Sequence, residues 1–166
     1  MFLVTTANQK FWKTDEKILF LGEWCRMYDQ KHVWSNLDHD ILPSHWDERA
    51  KLDQRYTYLE SIHEKYLENL VSDLNNAHNE GHSLRYWRII LGPWLSLFIG
   101  VIYDRYLSIK IAIDSNKVTR TWIPPLKSEQ WVPRDTITFV LRAQGNNNFN
   151  LYKSYFFIIV INNIFY

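Results

Sequence analysis

Cysteine is almost absent from this chain of 166 residues: Cys25 stands alone. An internal disulfide framework and a cysteine-built zinc site are thereby excluded, and the usage fits a reducing compartment such as the cytoplasm. An excess of either charge is lacking too. Nineteen basic residues face 18 acidic ones, for a net charge of +1, so no global field draws the protein to nucleic acid. Glycine and proline are sparse, five of each, and no Pro/Gly/Ser-rich linker or internal repeat divides the chain. The N-terminus, MFLVTTANQKFWK, has no basic stretch ahead of its apolar residues and no long hydrophobic core, which excludes a secretory signal. The most apolar internal run, IILGPWLSLFIGVI, covers roughly 14 residues where a membrane span needs about 20. It predicts a buried helix and no transmembrane span. G-x-S-x-G, P-loop, G-x-G-x-x-G and zinc-knuckle patterns are all missing, so hydrolase, NTPase and dinucleotide readings have no support and no cofactor is indicated.

Aromatic side chains are abundant, with 8 Trp and 10 Tyr and many of them beside Arg, Lys or His. Such residues suit sugars and stacked rings, and they also fill cores. Two apolar runs, MFLVTTA and KILFLGEW, read as strands whose pairing the sequence leaves open, because the segment between them is short for a parallel crossover. The second ends at Gly22, which places Glu23, Trp24 and Arg26 just past a strand's carboxyl end. In α/β proteins ligands bind there. The alternative is a strand-to-helix turn, with Glu23 at a helix's positive end and Trp24 in the core.

From Pro43 the texture becomes helical. Leu52, Tyr56, Leu59, Ile62, Tyr66, Leu70 and Leu74 recur by threes and fours, one apolar stripe on a long helix. Ser44 with Asp47 offers a capping pair, and Asn79 with Gly81 the stop. A second helical region starts near Ser83 and should kink or divide at Gly92-Pro93. KVTRTWIPPL then reads as a strand ended by Pro124-Pro125, and a further element starts at Pro133 with Asp135 as its cap.

Three constellations carry chemistry. His82, Arg85 and Arg88 recur every three residues at a helix start, where backbone N–H groups and two guanidinium groups favour a phosphate or carboxylate; alternatively, the arginines pair with acids of the preceding helix. LDHDILPSHWDER gathers His39, His45, Asp38, Asp40 and Asp47 in a loop, but without the spacing of a helical ligand pair, so no metal site is assigned. His45 and Trp46 can still face a ligand, as a proton shuttle and a stacking surface. Cys25 is a nucleophile only if Arg26 lowers its pKa, and otherwise a buried structural thiol.

Taken in order, FLVTTA, ILFLGEWCRMY, LPSHWDER, HSLRYWRIILGPWL and TWIPP resemble the N-terminal part of a transferase family encoded in bacterial O-antigen and surface-polysaccharide loci. That family is similar to the two-lobed glycosyltransferases. The resemblance implies an α/β, Rossmann-like lobe with few strands and long helices over residues 1–150, incomplete by itself, followed at 151–166 by an aberrant or truncated apolar tail. It further implies a sugar nucleotide donor, a glycan or lipid-linked acceptor, and a cytoplasmic location or a peripheral one at the inner membrane. Glu23 or His45 would serve as the base, Trp24 and Trp46 as substrate-binding surfaces, and His82, Arg85 and Arg88 as phosphate-side or acceptor-side groups. The lobe alone would not turn over. A rival reading, from a different class, is a non-catalytic interaction module in which the long helix docks a partner and both arginines are structural.

Overall fold

The computed structural model describes residues 1–115, 117–122 and 134–144, with residues 141–144 as backbone alone. The expected strand stop at Pro124-Pro125, the element start at Pro133 and the tail at 151–166 lie outside the described residues. Two compact units make up the chain: Met1–Asp47 with the residues from Asp104 onward, and Glu48–Tyr103.

The first unit is α/β. Its strands β1 (Phe2–Val4), β2 (Ile18–Phe20), β3 (His39–Ile41) and β4 (Arg120–Thr121) form one sheet in the order β3-β2-β1-β4, and every pairing is parallel, with Phe2 opposite both Ile18 and Arg120, and Ile18 opposite His39. All residues of β1 and β2 are buried. That is why these strands read as unbroken apolar runs rather than as an alternation.

The pairing left open by the sequence is settled by a compact crossover. A 3-10 turn at Gln9–Phe11 is capped by Asn8, which accepts from the Lys10 N–H at 3.1 Å. Trp12 then returns to the sheet: its Nε1–H donates to the Thr6 carbonyl at 2.7 Å, and its ring meets Phe20 edge-on at 5.3 Å. One indole does the covering that a crossover helix usually does. Strand β4 is tied on by the Thr121 hydroxyl, which donates to the Leu3 carbonyl at 2.7 Å, and by the Met1 ammonium, which donates to the Lys117 carbonyl at 2.8 Å.

The segment expected to be a loop around His39 contains β3. It escapes a periodicity reading because an edge strand pairs on one side only and tolerates polar residues; Asp40 is held by Lys17 at 3.1 Å. A single turn, α1 (Lys31–Trp34), precedes it. Helix α4 (Thr136–Gln144) starts as expected, with Asp135 accepting from the Thr138 N–H at 2.6 Å, and it buries Phe139 completely.

The second unit is built from α2 (Arg49–His78) and the part of α3 (Leu84–Asp114) up to Tyr103. Pairings of Asn75 with Trp87, His63 with Gly92 and Tyr58 with Tyr103 show that the two helices run antiparallel. Leu67, Trp87 and Leu95 are the buried centre, flanked by Leu70, Val71, Leu74, Leu91 and Ile99. Asn79 ends α2 in the left-handed conformation at φ 54°, as its position predicts.

Three details differ from expectation. Ser44 does not cap α2; its hydroxyl accepts from the Trp46 N–H at 3.2 Å and so caps the 3-10 turn His45–Asp47. Tyr56 and Tyr66 are exposed, because the buried face of α2 passes instead through Arg55 and Leu67. Finally, α3 does not divide at Gly92-Pro93 but continues through Pro93 as one helix. A single missing N–H is outweighed by the many bonds on either side and by the packing of Trp87, Leu91 and Leu95.

The apolar run of α3 is also not the buried helix expected. The helix is long and apolar enough to cross a membrane by length and composition, and only 22% of its apolar window is buried. Ile89, Ile90 and Leu97 are exposed.

Candidate functional site

In the first unit the segments that leave β1, β2 and β3 at their carboxyl ends converge. After β1 come the buried Thr5 and Thr6. After β2, Gly22 leads into the 3-10 turn Glu23–Cys25. A Cβ at Gly22 would overlap the Trp24 ring, so this glycine is required by the close approach of an indole rather than by a turn conformation. After β3, Pro43 and Ser44 deliver the turn that carries His45 and Trp46.

The groups that join these segments are Asp104 and Arg105. His45 is 4% exposed; its Nε2–H donates to Asp104 Oδ1 at 3.1 Å, and the same oxygen accepts from Trp46 Nε1–H at 2.6 Å. The two rings lie 4.5 Å apart. Arg105 forms an ion pair with the other Asp104 oxygen, and its guanidinium lies over the Trp24 ring at 5.0 Å. Burial pushes the Arg105 pKa down to about 10, opposed by the neighbouring Cys25 sulfur, so the side chain remains cationic at neutral pH. Cys25 is itself buried and donates to the Val4 carbonyl at 3.5 Å.

Chemically, the cluster joins an imidazole whose tautomer is set by a carboxylate to a buried cation on an aromatic face. With Nε2–H engaged, the neutral ring carries its basic lone pair on Nδ1. The sequence reading missed Asp104 and Arg105. In the sequence they form one step of the run YDRY inside an apolar helix, an interruption that burial of both side chains makes costly unless they are paired; that charge pair is the signal that could have marked them.

Glu23 is placed differently. Its side chain is 73% exposed, and both carboxylate oxygens accept from Arg26 Nη2, at 2.6 and 2.7 Å. Arg26 also stacks on Trp34 at 5.0 Å and approaches His39 Nε2 at 3.4 Å. A cavity of about 500 Å³ beside Arg26 and His39 is bordered by Lys117 and Ser115. The structure thus brings His45, Trp46 and Trp24 to one cluster, whereas Glu23 is bound to Arg26.

The second unit holds His82, Arg85 and Arg88. Asn75 clamps the segment before α3: it donates to the His82 carbonyl at 2.9 Å, accepts from the His82 N–H at 3.0 Å and accepts from Trp87 Nε1–H at 2.9 Å. The His82 ring stacks on Tyr86 at 3.8 Å. Ser83 caps α3 by accepting from the Tyr86 N–H at 3.3 Å. Arg88 forms an ion pair with Glu64 of α2 and holds that carboxyl below the usual range. Arg85 is exposed.

Among known proteins, a family model described as LIC12162 family transferase matches residues 1–160. No curated protein and no solved structure matches the chain.

Proposed function

Because the chain belongs to the LIC12162 family of transferases, we propose that it takes part in moving a sugar from a nucleotide-activated donor to a hydroxyl of a glycan or lipid-linked acceptor, in the assembly of a surface polysaccharide of the O-antigen type. The observation that carries this reading is the His45–Asp104 hydrogen bond at the carboxyl side of a parallel sheet. Glycosyl transfer needs a base for the acceptor hydroxyl and a cation for the departing phosphate. His45, oriented by Asp104, fits the first role and Arg105 the second. Trp24 and Trp46 offer the flat apolar faces that sugar rings pack on. His45 is buried, so the covering side chains must shift for an acceptor to reach it.

The strand order supports a Rossmann-like reading of the lobe. The order β3-β2-β1-β4 follows one half of a doubly wound sheet, and the chain reverses direction across it between β1 and β4, the position where such sheets bind ligands. We place the protein in the cytoplasm or peripherally at the inner membrane; the exposed Ile89, Ile90 and Leu97 of α3 offer an apolar surface for the peripheral arrangement.

The test is a transfer assay with nucleotide sugars and a lipid-linked acceptor, run on a full-length member of the family that contains this lobe. His45→Ala should lower turnover by roughly 10²- to 10⁴-fold, the usual worth of a positioned base. Asp104→Asn should instead shift the pH profile, because Asp104 acts through His45. Unchanged turnover in both variants would refute the assignment. One observation favours the rival reading of a docking module: Arg88 is already matched by Glu64 while Tyr56, Tyr66 and Ile90 are exposed. Pull-down of a stoichiometric partner that α2 surface variants abolish would establish it.

A further inference from the structure

The helical pair of the second unit encloses a groove of about 820 Å³, within the size range of small-molecule sites. From α2 it is lined by Tyr56, Glu60, His63 and Glu64, and from α3 by Ser96 and Gly100. Tyr56 donates its phenol to Glu60, an interaction that raises the phenol's pKa, and the rest of its ring is exposed. His63 Nε2–H donates to the Gly92 carbonyl at 3.2 Å, and Nδ1 lies 3.4 Å from Glu64. Glu64 is matched by Arg88. At Gly100 nothing lies within 4 Å of where a Cβ would stand; the helix has left its side chain out where the groove is open.

We propose that this groove binds an uncharged carbohydrate chain. The charges decide the class of ligand. Of the two acids, Glu64 is paired with Arg88, so only Glu60 keeps an uncompensated charge, and one carboxylate in an open groove holds an organic cation weakly. A phosphate or nucleotide would meet the uncompensated Glu60 carboxylate and be repelled. What remains is directional hydrogen bonding: the spare lone pairs of Glu60 and the donor and acceptor of the Ser96 hydroxyl suit the vicinal hydroxyls of a sugar. The Tyr56 face suits the C–H face of its ring. None of these residues belongs to the His45 cluster, so binding here extends the transferase reading without depending on it.

The full chain is titrated with neutral hexasaccharides of glucose, mannose and N-acetylglucosamine, with spermidine and a nucleoside diphosphate as charged comparators, and followed by ligand-observed NMR. At least one hexasaccharide should bind. Gly100→Trp, which fills open space, should weaken that binding by more than roughly tenfold, a loss well outside titration error. Tyr56→Ala, at an exposed position, should weaken it severalfold with an unchanged melting temperature. His45→Ala should leave saccharide binding intact even where it abolishes transfer, which separates failure of this proposal from failure of the transferase reading. Binding of no hexasaccharide, binding indifferent to Tyr56→Ala, or preferential binding of either charged comparator would overturn it. If Gly100→Trp lowers the melting temperature, Tyr56→Ala alone decides.

Discussion

The two units solve the same problem by opposite means. In the sheet unit, the central strands β1 and β2, of only three residues each, are held because nearly every atom of them is buried: Leu3, Ile18 and Phe20 have no exposure at all. In the helical unit, α2 extends over 30 residues, yet the buried centre is Leu67, Trp87 and Leu95. Around that seam the helices are joined by polar links that water also reaches, such as Arg88 with Glu64 and Asn75 with His82 and Trp87. Backbone hydrogen bonds inside a helix need no partner element, so a long helix tolerates a thin core; a short parallel strand has its bonds only through its neighbours and tolerates none. A residue's worth should therefore follow burial in the first unit and position along a narrow seam in the second.

The largest effect is expected from Phe20→Ala. Its ring is fully buried and meets Trp12 and His39, each at 5.3 Å, so truncation removes apolar area and leaves a cavity worth about 3–5 kcal/mol. Urea unfolding would measure it. A loss under 1 kcal/mol would mean that the sheet unit is looser than its burial indicates. Leu67→Ala, also with no exposure, should cost about 2–5 kcal/mol, whereas its neighbour Tyr66→Ala, 53% exposed, should stay within about 0.5 kcal/mol. Hydrogen exchange should report the Leu67 loss in α2 and α3. Equal costs at 66 and 67 would dissolve the seam.

That pair also shows how far the sequence was legible. A period of threes and fours finds α2 and its stop at Asn79, but it selects Tyr56 and Tyr66 because a tyrosine counts as apolar; the buried positions nearby belong to Arg55 and Leu67. Tyrosine's polar end lets it stand in water, and arginine's methylenes let Arg55 be buried. Strands β1 and β2 were legible because burial on both faces writes an unbroken apolar run. Strand β3 was not, since His39 and Asp40 are what an edge can carry. Glu23, Trp24 and Arg26 follow a strand as the sequence indicates, and His45 and Trp46 lie in a segment it marked only as a loop, but Asp104, which ties His45 to Trp46, lies 59 and 58 residues away from them. Local spacing carries no trace of a partner that distant.

Two intermediate effects sharpen the contrast. Asn75→Ala removes the donor and acceptor that clamp His82 and Trp87, which should cost about 1–3 kcal/mol through the groups left unpaired. Gly22→Ala should cost about 1–3 kcal/mol by forcing Trp24 aside. The readouts differ: the first should loosen the start of α3 in hydrogen exchange, while the second should shift tryptophan emission as the indole leaves Arg105. An unshifted spectrum in Gly22→Ala would show that the indole has room to yield.

The smallest effect is the acid response of the helical unit. Arg88 holds the Glu64 carboxyl below its usual range, and Lys51, with Arg55, does the same for Glu48. A carboxyl whose folded pKa is depressed contributes stability that is full above the unfolded value, about 4.3 for glutamate, and that is lost as pH falls through the folded value. Both carboxylates are about half exposed, so the effect is small and should shrink further in salt. Acid titration of exchange rates in α2 should therefore show protection falling below the ordinary glutamate range, and Arg88→Ala should remove the Glu64 part of that fall while leaving the Glu48 part. The buried Arg105, whose pKa of about 10 lies far above this window, keeps its charge throughout, so the His45 cluster should not share the response through that residue. If Arg88→Ala leaves the acid profile of α2 unchanged, the ion pair is no part of what joins these helices, and the hydrophobic seam carries the unit alone.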